Sequence, residues 1–185
     1  MARRLTSDCR TGIPRGFSQK DFKLIAHGGF GDGLNNYAHS MAWFKEHLYI
    51  GTTRGNFPLM KKRLPIGMDP WPVECPEDPF ELDLHAEIWC YNPRTEEWVR
   101  VHKAPKIIGS HGKPIPRELG YRGMLVYQTD ESEQPALYVS TWSPAKGPGP
   151  LILRSEDGKT FTPTGEPGLM GLPVTTIRTL VQFKN

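Results

Sequence analysis

The chain reads as an all-β fold built from short antiparallel strands, on three observations. Glycine (19) and proline (18) together make about a fifth of its 185 residues, and both punctuate a chain where turns are needed. The segments between them are aromatic and β-branched, within an overall 37% apolar and 10% aromatic content, as short strands require. Strand-sized motifs also recur in the same order, separated by unequal loops.

In chain order, Phe22-Lys23-Leu24-Ile25 is a lone strand behind an N-terminal extension of residues 1–21. His39 to Phe44 then forms an apolar strand ending in an aromatic, and Leu48-Tyr49-Ile50-Gly51-Thr52-Thr53 a second strand ending in a small residue and threonine. After a long loop come a third strand from Ile88 and a fourth, Trp98-Val99-Arg100-Val101. The pattern repeats as Arg122 to Tyr127, then Leu137-Tyr138-Val139-Ser140-Thr141-Trp142, then Ile152-Leu153-Arg154-Ser155, then Phe161-Thr162-Pro163-Thr164. Ile177-Arg178-Thr179-Leu180-Val181-Gln182-Phe183 matches the first strand a third time. That first strand is apolar on both faces, Met41 and Trp43 pointing one way and Ala42 and Phe44 the other, which suits a strand packed between two neighbours. Trp43, Phe44, Tyr49, Tyr127 and Tyr138 are accordingly expected in the core.

Four-stranded units with this spacing resemble blades of a β-propeller. Ser155-Glu156-Asp157-Gly158-Lys159-Thr160-Phe161 is similar to the Asp-box turn of sialidase-like propellers, with Ser155, Asp157, Gly158 and Phe161 as its structural residues. Ile88 to Trp98 resembles the turn of kelch-type blades, although the paired kelch glycines are replaced by Gly51-Thr52 and Ser140-Thr141. The resemblance implies a partial β-propeller over residues 22–185. Blade one covers about 39–103, with a Pro-rich insertion at 55–86; blade two covers about 121–166; the first strand of a third blade lies at 176–184. Propellers close with four to eight blades, so the expected architecture is an incomplete ring of four-stranded antiparallel blades. The leading strand resembles one that latches a final blade, and Phe183-Lys184-Asn185 stops where Phe44-Lys45-Glu46 turns into the next strand. The chain is therefore expected to be the front part of a larger or split propeller. Its partners would be the remaining blades or a complementary chain, or further copies of itself.

The formal charge of +3 is spread along the sequence, and its densest basic run, Lys61-Lys62-Arg63, is short, which argues against nucleic acid as a partner. No apolar run reaches the roughly 18 residues of a membrane helix, and no apolar stretch follows the basic N-terminus as in a secretory signal. Cys9, Cys75 and Cys90 lack metal-knuckle or redox spacing, so reduced thiols in the cytoplasm, with no metal or cofactor, are expected.

Three aligned residues, His39, Arg122 and Arg178, each stand two positions before the apolar anchor of an inner strand. They would form part of a cationic ring at the channel mouth, suited to a small carboxylate or phosphate ligand, with Asn36, Tyr37, Thr53 and Arg54 on the same rim. The front loop from Gly28 to Tyr37 lacks the helix of a dinucleotide fingerprint. The insertion carries Glu74, Glu77, Asp78, Glu81, Asp83, His85 and Glu87 without a recognised metal-ligand spacing, so it reads as a solvated acidic loop that docks or covers. Catalytic residues cannot be assigned: no serine or cysteine has a nucleophile context, and only Glu118, near Tyr121 and Arg122, offers an acid or base. The function expected is an interaction platform. The alternative is part of a propeller enzyme, a glycan hydrolase or lyase, acting on an anionic substrate.

Overall fold

The computed structural model describes residues 16–63, 75–130 and 133–183. Residues 1–15 of the N-terminal extension, residues 64–74 of the insertion (with Trp71 and Glu74) and Lys184 of the expected last strand lie outside the described residues.

The fold is all-β. Blade one is an antiparallel meander of β1 (Asn35–Phe44), β2 (His47–Arg54), β3 (Glu87–Asn92) and β4 (Glu97–Lys103). Lys45 and Glu46, both at positive φ, form the two-residue turn between β1 and β2, a geometry that matches the twist of the strands it joins. The insertion that follows β2 opens with α1 (Asn56–Arg63). A small hairpin of β5 (Lys106–Ile108) and β6 (Pro114–Pro116) leads to blade two. That blade is the meander of β7 (Gly120–Tyr127), β8 (Ala136–Trp142), β9 (Ile152–Ser155) and β10 (Thr162–Pro163). The blades join through one strand pair, Thr53 opposite Gly120, and the combined sheet curls 209° into a half-barrel, an incomplete ring.

The core lies between the blades. Phe44, Tyr49 and Ile88 of blade one meet Tyr121, Leu137, Val139 and Leu153 of blade two, all buried, with Phe161 packed at the edge. Removing each large apolar side chain from water contributes roughly 1.5–3 kcal/mol, so this shared layer holds the blades face to face. A second cluster, Leu59 and Leu84 of the insertion on Leu119 and Trp142, fastens the insertion to the same end of both blades.

The small-residue–threonine ending has a physical role in each blade. Thr52 Oγ1 accepts from the Glu87 amide at 3.0 Å, and Thr141 Oγ1 accepts from the Leu151 amide at 2.7 Å. Each buried hydroxyl thus satisfies the amide where the chain re-enters the sheet after the loop. The Ser155–Phe161 turn is closed by Asp157 Oδ1, which accepts from the amides of Lys159 and Thr160, while the Gly158 amide donates to Ser155 Oγ. Those bonds hold the Asp157 carboxyl well below the usual carboxylate range. Gly158 sits at φ 74° against the Tyr49 hydroxyl, where a Cβ would lie 1.9 Å away, so this turn also seats blade two against blade one.

Three expectations are corrected. Phe22-Lys23-Leu24-Ile25 forms no strand. It passes over the β3–β4 turn, held by Trp98 Nε1 donating to the Ile25 carbonyl and by the Lys23–Glu96 ion pair. The segment from 176 onward makes only an isolated bridge, Thr176 opposite Trp142, because no second neighbour completes a ladder there. Met41 and Trp43 are each 59% exposed rather than buried, whereas Phe44 and Tyr49 are in the core and Tyr127 and Tyr138 are half-buried. Strand β1 has a blade on one side only, so half of its apolar surface stays uncovered.

Gly51 is another close approach of the blades: a Cβ there would fall 2.5 Å from Ser40 Oγ and 2.7 Å from Tyr121 Cβ. Gly51→Ala is expected to cost about 1–3 kcal/mol through overpacking, read as a lower urea midpoint at unchanged slope. An unaltered midpoint would mean that the blades do not meet at Gly51.

Candidate functional site

His39 and Arg122 are placed by equivalent irregularities. In β1 the pairing steps from Ala38–Thr52 to Ser40–Gly51, and in β7 from Tyr121–Thr141 to Gly123–Ser140. His39 and Arg122 are the extra residues of two β-bulges, one per blade. A bulge leaves a residue outside the ladder and re-aims its side chain. Here it turns both toward the gap between the blades, where the segment carrying Thr176 and Arg178 also arrives.

The side chains meet there. His39 Nδ1 lies 2.8 Å from Thr53 Oγ1, and Arg122 Nε donates to His39 Nε2 at 3.4 Å. With Nε2 accepting, Nδ1 carries the proton and donates to Thr53, so His39 is neutral in this arrangement. Burial, then the charges of Arg122 and Arg178, push the His39 pKa below the ordinary imidazole value. Arg122 Nη1 reaches Thr176 Oγ1 at 3.3 Å, and its guanidinium carbon lies 5.1 Å from the centre of the Trp142 ring. Burial and the Arg178 charge lower the Arg122 pKa as well. The Tyr37 ring, 47% exposed, stands 5.9 Å from that of His39. Among the described residues His39, Arg122 and Arg178 have no carboxylate partner. Sequence alignment of the repeats brought these three and Thr53 together; Thr176 and Trp142 carried no motif and were missed.

Arg54 and Asn36 are not brought to this cluster. Arg54 is fully buried at the end of β2. It donates from Nε to the Asp83 carbonyl and from Nη2 to Asp32 Oδ2 at 2.8 Å, with Glu87 Oε2 3.6 Å from Nη1. Burial would raise the Asp32 pKa, but the hydrogen bond from Arg54, that from the Leu34 amide and the Arg54 charge together outweigh it and hold the carboxyl low; for Asp83, Lys103, Arg54 and the His85 amide together do the same. Glu87, also buried, accepts from Asn35 Nδ2, Trp89 Nε1 and Arg100 Nη1. Asn36 ties loops together, its Oδ1 accepting from the Asn56 amide and its Nδ2 donating to the Gly33 carbonyl. Among the described residues the acidic side chains of the insertion form no metal-type cluster: Asp83 and Glu87 serve Arg54, Asp78 accepts from the Phe80 amide, and His85 Nδ1 donates to the Ala104 carbonyl.

Glu118 lies inside, 2% exposed, with Arg117 Nη1 3.4 Å from its Oε1 and no hydrogen-bond partner for Oε2. Burial pushes its pKa up to about 7. The Tyr121 hydroxyl is likewise buried without a partner. Nothing opens this carboxyl toward the His39–Arg122 cluster.

Replacing Arg54 by Met removes the buried cation of Asp32 and leaves Glu87 with Arg100 and Asp83 with Lys103 alone, an expected loss of about 3–5 kcal/mol in urea unfolding. Glu118 gives a pH signature. Its folded pKa stands above its ordinary 4.5, so its contribution is fully present below about pH 4.5 and is lost as pH rises through about 7. Glu118→Gln should flatten the stability profile between those pH values and leave it unchanged elsewhere; a slope that persists in the variant would assign it to other groups.

Compared with protein-family models, curated proteins and solved structures, the chain matches none, so the fold and these charged networks are what bear on its function.

Proposed function

We propose that this chain is a β-propeller segment that works as an interaction platform, and that the outer face of blade one receives the blades that complete its ring. The supporting observation is the exposure of Met41 and Trp43, 59% each, on the innermost strand of a blade. They stand beside Ile50, Trp89 and Tyr91 on one face of the sheet. Contiguous apolar surface of this kind marks an interaction site. The rest of that face is covered: Ile50 and Tyr91 are buried, and Phe30 stacks 4.7 Å from Trp89 and lies tilted 4.9 Å from Trp98.

The outer face of blade two differs, which gives the docking a direction. Near the axis it is crossed by the 175–180 segment. Toward the rim it is a polar row of Tyr138, Arg154 and Thr162 in register, beside Thr129, Glu133 and Glu156 around a depression of about 640 Å³. That surface is at home in water; the Met41–Trp43 surface is not. The closer resemblances belong to this reading: the Ser155–Phe161 turn to the Asp-box of sialidase-like blades, and the Ile88–Trp98 turn to kelch blades. Cys90, a free thiol, agrees with a cytoplasmic setting.

A second reading is favoured by two arginines that have no carboxylate partner among the described residues: the cluster of His39, Arg122 and Arg178 binds a small anionic ligand. A guanidinium without a carboxylate partner is the usual recognition element for such a group. Glu118, the acid nearest Arg122 in sequence, is buried, so ligand binding is what these side chains support.

The platform reading predicts that the purified chain binds the dye ANS and self-associates with rising concentration. The double variant Met41→Ser, Trp43→Ser should lose both while its urea midpoint changes by no more than about 0.5 kcal/mol, as for exposed sites. A wild-type chain that is monomeric and ANS-negative would overturn the proposal.

A further inference from the structure

The cationic cluster draws on three parts of the chain. His39 belongs to blade one, Arg122 to blade two, and Thr176 and Arg178 to the segment 172–183 that follows blade two. That segment reaches the sheet through the Ser143 amide donating to the Thr175 carbonyl at 2.8 Å, the Ile177 amide donating to the Thr141 carbonyl at 3.1 Å, and the Arg122–Thr176 contact. Its backbone then passes so close to Gly123 that a Cβ there would lie 3.1 Å from the Arg178 carbonyl oxygen. Docking the segment therefore brings Arg178 toward the half-buried Arg122. Like charges at close range in a partly desolvated setting repel, and among the described residues no carboxylate neutralises them.

We propose that a small oxyanion, the group carried by a phosphate or a carboxylate, binds between Arg122 and Arg178 and fastens the 172–183 segment to blade two. This inference rests on the anionic-ligand reading above and adds what the ligand does. The anion replaces a repulsion by two charge-assisted contacts, one to each side of the joint. Arg122 presents the donors of its guanidinium that are not directed to His39 and Thr176, and the Trp142 ring beneath holds that guanidinium in place. Neutral His39 sets the orientation of Arg122 without adding a third fixed charge. Binding and docking are then linked: whatever order the anion imposes on the segment, the docked segment returns as anion affinity.

The test uses the full chain, with inorganic phosphate and, separately, acetate titrated against chloride at constant ionic strength. Binding is followed by NMR shifts of the Arg122 and Thr53 amides, and docking by hydrogen–deuterium exchange of peptides covering 172–183. The expected result is saturable binding with exchange in that segment slowed roughly fivefold or more, the low end of ordinary coupling. Arg178→Ala, on an exposed side chain, should fold normally and lose both effects; Arg178→Lys should keep part of each. Phosphate that binds in an Arg178-dependent manner without slowing exchange would overturn the fastening and leave the anionic-ligand reading standing. Absence of saturable binding by either anion would overturn both. Effects equal to those of chloride would show ionic strength alone and would also overturn both.

Discussion

The Arg54 guanidinium is the constraint on which the functional end of the molecule depends. Placed at the end of β2, it is fully buried, and a buried cation is tolerated only where carboxylates and carbonyls surround it. Asp32 from the front loop, Asp83 from the insertion and Glu87 from β3 are drawn to it. Glu87 in turn gathers Asn35, Trp89 and Arg100. The front loop at Asp32 and the insertion at Asp83 are thereby tied to the same end of blade one. The same end carries the Thr53–Gly120 pair that joins the blades. The open gap between β1 and β7, where His39 and Arg122 project, is framed by this arrangement.

The apolar layer between the blades then determines what is left over. Phe44, Tyr49 and Ile88 spend one face of blade one against blade two. Because strand side chains alternate, the residues between them must point the other way, and among the described residues Met41 and Trp43 stay largely uncovered. Blade two meets the same geometric problem with polar side chains at its rim and with the 175–180 segment near its axis. One face of the arc is thus suited to solvent and the other to a neighbour, which is why association is argued from blade one alone.

Most of the strand order was legible in the sequence because each blade repeats the same local instructions. An aromatic closes the inner strand, a small residue and threonine close the second, and a tight turn precedes the fourth. Those instructions work within a blade, through the bonds of Thr52 and Thr141 and the turn around Asp157, so they survive unequal loops. What depends on partners outside the repeat was not legible. Phe22 to Ile25 has strand composition but nothing to pair with, and Trp43 has core composition but no second blade over it. The site divides in the same way. The repeat alignment pointed to His39, Arg122 and Arg178, but the bulges that aim the first two exist only once a register is set. Arg54 occupied a position that looked like part of the rim; its burial follows from Asp32, Asp83 and Glu87, carboxylates from two loops and from β3 with no shared motif.

The account stands most directly on the open face of blade one, and hydroxyl-radical footprinting reads that face residue by residue. At the lowest workable concentration, where any self-association is dissociated, Met41 and Trp43 are expected to be oxidised rapidly while Phe44 and Tyr49 on the opposite face stay protected. Protection of Met41 and Trp43 to the level of Phe44 in that dilute monomer would show the face already covered and would contradict the open-arc account.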